Sequence, residues 1–496
     1  MKNVVLYPFV GLLAVLCFSQ CTGKKPAPQN EKLNVLFIAV DDLRPELNCY
    51  GAHQIKSPNF DRLSAISTQF NQAYCQQAVC APSRNSILTG LRPDVMGIYD
   101  LYTFFRRKVP EVTTLPQHFK AHGYITERIG KIYHTGHGNK DDSLSWSNPP
   151  EKLWRPEEIS HGDTIGLERD FPAIDGKKLP YYKSPMPEGN MTDATIADHA
   201  VQRLKNLKDS SFFLAVGFIK PHLPFVAPQQ YWDLYDPAEI IIPERKSPEG
   251  MPEMALHQFG ELRKYHNIPV EGYLSDETSK NLIHGYYAAT SFIDAQLGKL
   301  LDALESEGLS KNTIIVLWGD HGWKLGDYGG WCKHTNFELD TRVPLFIYDP
   351  GNPEGQKTNS LAELVDIYPT LCAMAGLPAP AHLEGQNLVP ILENPEAKVN
   401  QVAISQYPRG ENLDYDRKKT IMGYSMRYEN FRFTRWQNYE KPNEVIALEL
   451  YDHSKSPLAE KNLADLPEYQ EKVKELDGLL SAELGKYQLN LSRLTH

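Results

Sequence analysis

Leu33-Asn34-Val35-Leu36-Phe37-Ile38-Ala39-Val40, closing on Asp41-Asp42, decides the fold. An apolar run this continuous, ended by charge, is the pattern of a strand buried on both faces of a parallel sheet, where helices cover each side and no alternation is needed. Polar residues at the carboxyl end of such a strand point into the crevice where α/β sheets bind ligands. Two further runs repeat the pattern: 212–219 leads into Lys220-Pro221-His222, and 313–318 leads into Gly319-Asp320-His321-Gly322. Strands of this kind alternating with helices predict an α/β protein with a large, mainly parallel sheet sandwiched by helices.

The helical segments carry the matching period. Over 191–207, Ala197, Val201, Leu204 and Leu207 fall on one side, and a longer stretch sets Leu282, Tyr286, Ala289, Ile293, Leu297, Leu300 and Leu304 in one buried stripe. The stretches 146–188 and 236–269, rich in Pro, Gly and charge, read as long excursions over the sheet that shape recognition. A helix over 361–376 is expected to stop at Gly376 before Pro378-Ala379-Pro380. Runs at 420–427, 431–436 and 447–451 predict a small antiparallel sheet, closed by a helix over 467–487. The expected organisation is a signal peptide at 1–20, a lipoprotein tether at 21–32, a catalytic domain at 33–395 and a smaller C-terminal α+β subdomain at 396–496 carrying the antiparallel sheet.

The 496 residues suffice for two or three cores at about 150 residues each, although large α/β enzymes often form one unit. A formal net charge of −10 argues against nucleic acid as a partner, which calls for a basic face. It leaves room for an anionic small substrate held by a few local cations. Met1-Lys2, followed by a mostly apolar run from Val4 to Phe18, reads as a secretory signal and is short for a membrane span. Cys21 fits a bacterial lipoprotein site at which the cysteine is lipidated; cleavage nearby with Cys21 unmodified is the alternative. Either way the mature chain is expected to be exported, to the periplasm, touching the membrane only through such an anchor. Cys49, Cys75, Cys332 and Cys372 lack zinc-site spacing and are expected as buried thiols, with one disulfide open to them in an oxidising compartment.

Asp41, Asp42, Asp320 and His321 therefore stand at strand ends, and Cys80 at a loop-to-helix junction. Singly, each acidic pair reads as a helix cap or a solvated loop. Together, three converging carboxylates repel one another unless a hard divalent cation binds between them, and Ca2+ is the natural candidate.

Cys80-Ala81-Pro82-Ser83-Arg84, followed by Asn85-Ser86-Ile87-Leu88-Thr89-Gly90, resembles the signature of type I sulfatases of the alkaline-phosphatase superfamily, and the resemblance runs over roughly 33–480. It implies an alkaline-phosphatase-like fold and conversion of Cys80 to formylglycine (3-oxoalanine) by a formylglycine-generating or anaerobic sulfatase-maturating enzyme. It also implies one Ca2+ held by Asp41, Asp42, the modified Cys80, Asp320 and His321. His321 stands where many relatives carry Asn, yet it matches the iduronate-2-sulfatase branch; its ring nitrogen is a softer partner for Ca2+ than an amide oxygen. Lys131 and His134 in Gly130-Lys131-Ile132-Tyr133-His134, His222 in Lys220-Pro221-His222-Leu223-Pro224-Phe225, and Lys333 match the remaining catalytic positions. Arg84 shares a face with Cys80 at a helix N-terminus if the segment after Pro82 is helical.

By the same resemblance, Lys131, Lys333, Arg84 and the metal neutralise the sulfate ester. One hydroxyl of the formylglycine hydrate attacks sulfur to give a covalent sulfo-enzyme, His222 protonates the departing sugar oxygen, and His134 takes the proton of the second hydroxyl to expel sulfate. Arg92-Pro93-Asp94, Tyr99-Asp100, Val343-Pro344-Leu345 and Met422-Gly423-Tyr424-Ser425 add to the likeness to iduronate-2-sulfatase. They imply a 2-O-sulfated hexuronate of heparin, heparan, chondroitin or dermatan oligosaccharides, 4,5-unsaturated at the non-reducing end where lyases have cut. Saturated iduronate, another sulfated carbohydrate, a phosphate or phosphonate ester, and glycan binding without catalysis are the alternatives. Arg106, Arg107 and Lys108 are candidates for meeting the uronate carboxylate, against a solvated turn.

Overall fold

The computed structural model describes residue 1 and residues 32–148, 173–257, 259–410 and 419–494. The first apolar run is strand β1 (Asn34–Val40). Leu36, Ile38 and Val40 join one apolar cluster while Val35, Phe37 and Ala39 join another, and all six are fully buried. Both faces being covered explains why the run shows no alternation.

Seven more strands complete its sheet: β2 (Thr68–Tyr74), β3 (Ile125–Gly130), β4 (Phe212–Phe218), β5 (Thr313–Gly319), β6 (Arg342–Tyr348), β7 (Gln356–Thr358) and β8 (Ala362–Glu363). Their order is β7-β2-β6-β5-β1-β4-β3, with β8 also pairing β2. The centre is parallel, and β6 runs antiparallel to both β5 and β2. Val40 lies opposite Phe218 on one side and Gly319 on the other, so β1, β4 and β5 end level. Everything that follows those three strands emerges along one edge.

Helix α1 (Cys80–Thr89), helix α2 (Thr192–Leu207) and the 31-residue α3 (Asp276–Ser306) cover the sheet. Apolar residues of α2 and α3 share the cluster of Leu36, and those of α1 share that of Phe37. In α2 the buried stripe runs through Ala194, Ala197, Ala200, Leu204 and Leu207, leaving Val201 half-buried. The expected helix over 361–376 begins later, as α4 (Ile367–Met374), because Ala362–Glu363 extends along β2 and Glu363 and Asp366 cap each other's backbone N–H groups. Gly376 takes a left-handed backbone (φ 66) just beyond it, as expected of a helix stop.

Among its described residues, the excursion over 236–269 holds two short 3-10 turns and an isolated β-bridge from Glu249 to Lys461. The described part of 146–188 includes Tyr181–Ser184, which pairs in parallel with Phe225–Pro228. A second, antiparallel sheet holds β9 (Ala403–Gly410), β10 (Lys419–Tyr428), β11 (Phe431–Asn438) and β12 (Val445–Asp452) in sequence order, with α5 (Gln470–Leu494) packed on its apolar face. Cys49, Cys75, Cys332 and Cys372 are separate thiols, all buried except the half-buried Cys49. Residues 2–31, with the export segment and Cys21, lie outside the described residues.

Candidate active site

Because β1, β4 and β5 end level, Asp41, the 219–225 loop and Asp320 are neighbours. Asp42 takes a left-handed backbone (φ 58), a conformation that Asp tolerates better than most residues. Its N–H donates to Asp320 Oδ1 at 3.0 Å, which also accepts the His321 N–H at 3.0 Å. The Tyr286 hydroxyl, from α3, donates to the Asp42 carbonyl at 2.9 Å. Backbone hydrogen bonds thus fix the acidic residues in place.

Cys80 opens α1, and its Sγ lies 3.2 Å from His321 Nε2. His321 Nδ1 lies 3.0 Å from the Gly322 carbonyl, which can only accept, so that nitrogen carries a proton and Nε2 is left to face Asp42 (3.4 Å) and Asp320 (3.6 Å). Gly322 allows this turn: a Cβ there would stand 1.9 Å from the Leu339 carbonyl oxygen. Ligand atoms of Asp41, Asp42, Cys80 and His222 lie within 4.8 Å of one another, as do those of Cys80, Asp320 and His321. Three buried carboxylates and an imidazole with its other nitrogen tied down fit a divalent cation.

Arg84 corrects one expectation. It is fully buried, with Nε on Asp320 Oδ2 (2.9 Å), Nη2 on Asp41 Oδ1 (2.9 Å), and Nη1 on the carbonyls of Lys131 (2.6 Å) and Ile132 (3.0 Å). Four of its five N–H donors are occupied by protein acceptors, so it ties the carboxylates together and does not face the cleft. Lys131 pairs with Asp41, and Lys333 with Asp42 at 3.0 Å. Lys131 reaches the site because Gly130 (φ 75) passes close to Gly217; a Cβ on Gly130 would stand 2.1 Å from the Gly217 carbonyl oxygen.

Burial opposes the charge on Asp41, but Lys131 and Arg84 outweigh it and hold its carboxyl well below the usual range. At Asp42 burial prevails over Lys333, and the carboxyl is pushed up to about 7. Burial, reinforced by Asp41, pushes the Cys80 thiol up, which disfavours the thiolate.

The loop after β4 is clamped from two sides. Asp193, in the first turn of α2, accepts the N–H groups of Ile219 (2.7 Å) and Lys220 (3.1 Å), and Lys220 Nζ donates to the carbonyls of His222 (2.7 Å) and Pro224 (2.8 Å). His222 Nδ1 lies 2.6 Å from the Leu223 carbonyl, leaving Nε2 to face Glu261 (3.3 Å) and Asp42 (3.9 Å). Burial first, then Lys333, lowers His222 to about 4. Among the described residues neither ring nitrogen of His134 has a hydrogen-bond partner, and burial with Lys131 holds it well below its usual value, so it is neutral.

Glu261, which also pairs with Lys333 at 3.1 Å, is the site residue that the sequence did not disclose, being one acid within a Pro-rich excursion. Arg106 is a structural residue: it binds Asp142 (3.0 and 2.8 Å), Gln117 (2.7 Å) and the Pro110 carbonyl (3.0 Å). Arg107 and Lys108 beside it are exposed.

The family model for sulfatases matches residues 33–377, and that for the C-terminal part of N-sulphoglucosamine sulphohydrolase matches residues 326–485. The chain is 35% identical to iduronate 2-sulfatase of Homo sapiens over 524 aligned residues, covering 91% of this chain and 94% of that protein. It is 33% identical to a sulfatase of Formosa agariphila, covering 95% and 91%. Among solved structures, the phosphonate monoester hydrolase of Agrobacterium radiobacter superposes with a TM-score of 0.74 at 22% identity, covering 92% and 96%. A 2-O GAG sulfatase superposes with a TM-score of 0.66 at 21% identity, covering 92% and 93%. Those two structures speak to the fold alone. Matched by the family model over most of its length, the chain belongs to the sulfatases and is an enzyme of that class with their alkaline-phosphatase-like fold.

Proposed function

We propose that this sulfatase removes the 2-O-sulfate from a hexuronate, 4,5-unsaturated and at the non-reducing end, of heparin, heparan, chondroitin or dermatan oligosaccharides. The 35% identity to iduronate 2-sulfatase along nearly the whole of both chains carries the reading. Sulfatases generally use a formylglycine and a divalent metal. Asp41, Asp42, Asp320 and His321 would hold the metal, taken as Ca2+, whose charge would polarise a sulfate oxygen. Formylglycine made from Cys80 would supply, as its hydrate, one hydroxyl for attack on sulfur and a second that permits release of sulfate.

The chain's own residues divide the remaining work. Lys131 and Lys333 are each paired to a carboxylate, and a cation among those carboxylates leaves both ammoniums for the sulfate oxygens. His222, aimed by the Leu223 carbonyl, protonates the leaving sugar oxygen; a bound ester occupies Lys333 and brings the negative charge that lets this buried ring keep its proton. His134, neutral beside Lys131, accepts a proton as sulfate departs. Cys80 is only 2% exposed, which favours conversion by the maturating enzyme before α1 packs. The signal at 1–20 and a lipidated Cys21 would place the mature chain in the periplasm on a lipid anchor.

Sulfate release from unsaturated disaccharides sulfated at single positions tests the substrate, with a saturated iduronate 2-sulfate as a further arm. Release from the uronate 2-O position is expected; activity confined to 6-O-sulfated hexosamines overturns the assignment. Mass spectrometry of residue 80 tests the mechanism, which an unmodified thiol in active protein would overturn.

A further inference from the structure

Glu261 stands in the cleft without a part in the reaction described. Its Oε1 lies 3.3 Å from His222 Nε2 and 3.4 Å from Lys333 Nζ, and its Oε2 lies 3.1 Å from the same ammonium. Burial opposes its charge, but Lys333 and then His222 hold the carboxyl below its usual range, so it is an ionised group that only accepts hydrogen bonds. The chain after it is pinned: Leu262 is 1% exposed, and Arg263 donates to the carbonyls of Pro269 (2.5 Å) and Gly272 (2.7 Å).

Exposure shows from which side a substrate meets these groups. The side chains of Glu261 and His222 are 23% and 24% exposed, against 3% for Lys333 and none for Asp42. The buried end therefore suits the sulfate group, and the open end, where His222 stands, suits the sugar. In the proposed reaction Lys333 is given to the sulfate oxygens and the N–H at His222 Nε2 to the leaving oxygen. Glu261 then loses both of its present partners, and a carboxylate left unsatisfied in a partly buried place is costly. The leaving oxygen and Glu261 Oε1 flank the same nitrogen, so the ring carbon next to the sulfated one comes within reach of the carboxylate.

We propose that Glu261 is a specificity-determining residue, which accepts a hydrogen bond from a free hydroxyl on the ring carbon next to the sulfated one and excludes an anionic substituent there. A hydroxyl at that carbon replaces the lost donors; a second sulfate at the same place is repelled. In a 2-O-sulfated hexuronate at the non-reducing end, C1 carries the glycosidic oxygen, which has no proton, so the donor is the 3-hydroxyl. The inference rests on the sulfatase reading of the cleft, and the choice of the 3-hydroxyl rests on the uronate reading.

The test compares kcat/KM for a monosulfated methyl glycoside, its counterpart with hydrogen in place of the neighbouring hydroxyl, and its counterpart with a second sulfate there. Ratios taken within one protein cancel incomplete maturation or partial unfolding. In the unaltered enzyme, removing the hydroxyl lowers kcat/KM by about 10- to 100-fold, the range for one hydrogen bond to a charged acceptor. In Glu261→Ala the first two substrates become equivalent. Glu261→Gln, which keeps a neutral acceptor, retains a preference of about three- to tenfold and raises the relative rate on the disulfated sugar by about tenfold. A hydroxyl preference absent from the unaltered enzyme, or undiminished in Glu261→Ala, overturns the assignment; an equal loss on every substrate is what a merely structural Glu261 would give. The glycoside is the one from which the enzyme releases sulfate. If that release comes from another ring position the uronate reading fails, while the same ratios, taken at the carbon next to that position, still judge Glu261.

Discussion

Arg84 sets the electrostatics of the site from beneath. With no exposure and hydrogen bonds to Asp41, Asp320 and two carbonyls, it is a fixed countercharge beneath both acids and, after Lys131, helps hold the buried Asp41 carboxyl well below the usual range. Lysine keeps the charge but cannot reach two carboxylates and two carbonyls from one planar fork. Arg84→Lys is therefore expected to destabilise the fold by about 3 kcal/mol, in the range for breaking a buried pair, and to lower bound divalent metal. Thermal melting and elemental analysis of the purified variant measure both; a variant with native melting and a full metal complement refutes the buttress role. Cys80-Ala81-Pro82-Ser83-Arg84 disclosed which residue matters but not which way its side chain turns, since burial depends on elements far away in the chain. Glu261 was hidden for a different reason. A single carboxylate in an irregular excursion has no period or spacing to mark it, and only folding brings it to Lys333 and His222.

At the scale of elements, the 219–225 loop presents His222 because α2 and the loop's own lysine hold it. Asp193→Asn keeps one acceptor for two N–H groups, so the loop relaxes and Nε2 loses its aim. Turnover of a sugar sulfate, whose alkoxide leaves poorly, is expected to fall by about 100-fold, the lower end for loss of a general acid. Hydrolysis of an aryl sulfate, whose phenolate leaves without a proton, falls much less. Equal losses on the two substrates would mean general damage and would sink the positioning role. The same contrast between local and distant causes separates strands that are legible from those that are not. β1, β4 and β5 read directly because burial on both faces leaves an unbroken apolar run. β2 (Thr-Gln-Phe-Asn-Gln-Ala-Tyr) does not, because Gln69 is buried yet satisfied by the Ser64 hydroxyl at 2.6 Å and the Cys49 carbonyl at 3.2 Å. β9 contains Pro408, which a strand interior excludes; it is tolerated because β9 is the edge of its sheet.

At the scale of the molecule, the second sheet is tied to the catalytic one through buried polar contacts. The Ser405 hydroxyl donates to the Cys75 carbonyl (2.6 Å), Gln406 N–H to the Gln76 carbonyl (2.8 Å), and Arg432 Nη2 to Glu338 Oε2 (2.6 Å), on the segment that follows Lys333. Glu449 of β12 sits within this junction, 2% exposed, accepting the Trp436 indole N–H at 2.6 Å and the Tyr451 hydroxyl. Burial pushes its carboxyl up from 4.5 to about 7, although both hydrogen bonds pull the other way. The sign follows from linkage: the folded state binds this proton more tightly than the unfolded chain, so the stabilisation is complete below about 4.5 and is lost as the pH rises through about 7. Between about pH 5.5 and pH 8 the loss amounts to about 2 kcal/mol. Asp366, pushed up to about 7 by burial and then Glu363, acts in the same direction and is common to any Glu449 variant. Glu449→Gln preserves the volume and removes the ionisation, so the variant should lose about 2 kcal/mol less than the parent over that interval, read from urea unfolding at the two pH values. Parallel pH profiles for the two proteins would show that Glu449 is already ionised in the folded state and that its hydrogen bonds outweigh its burial.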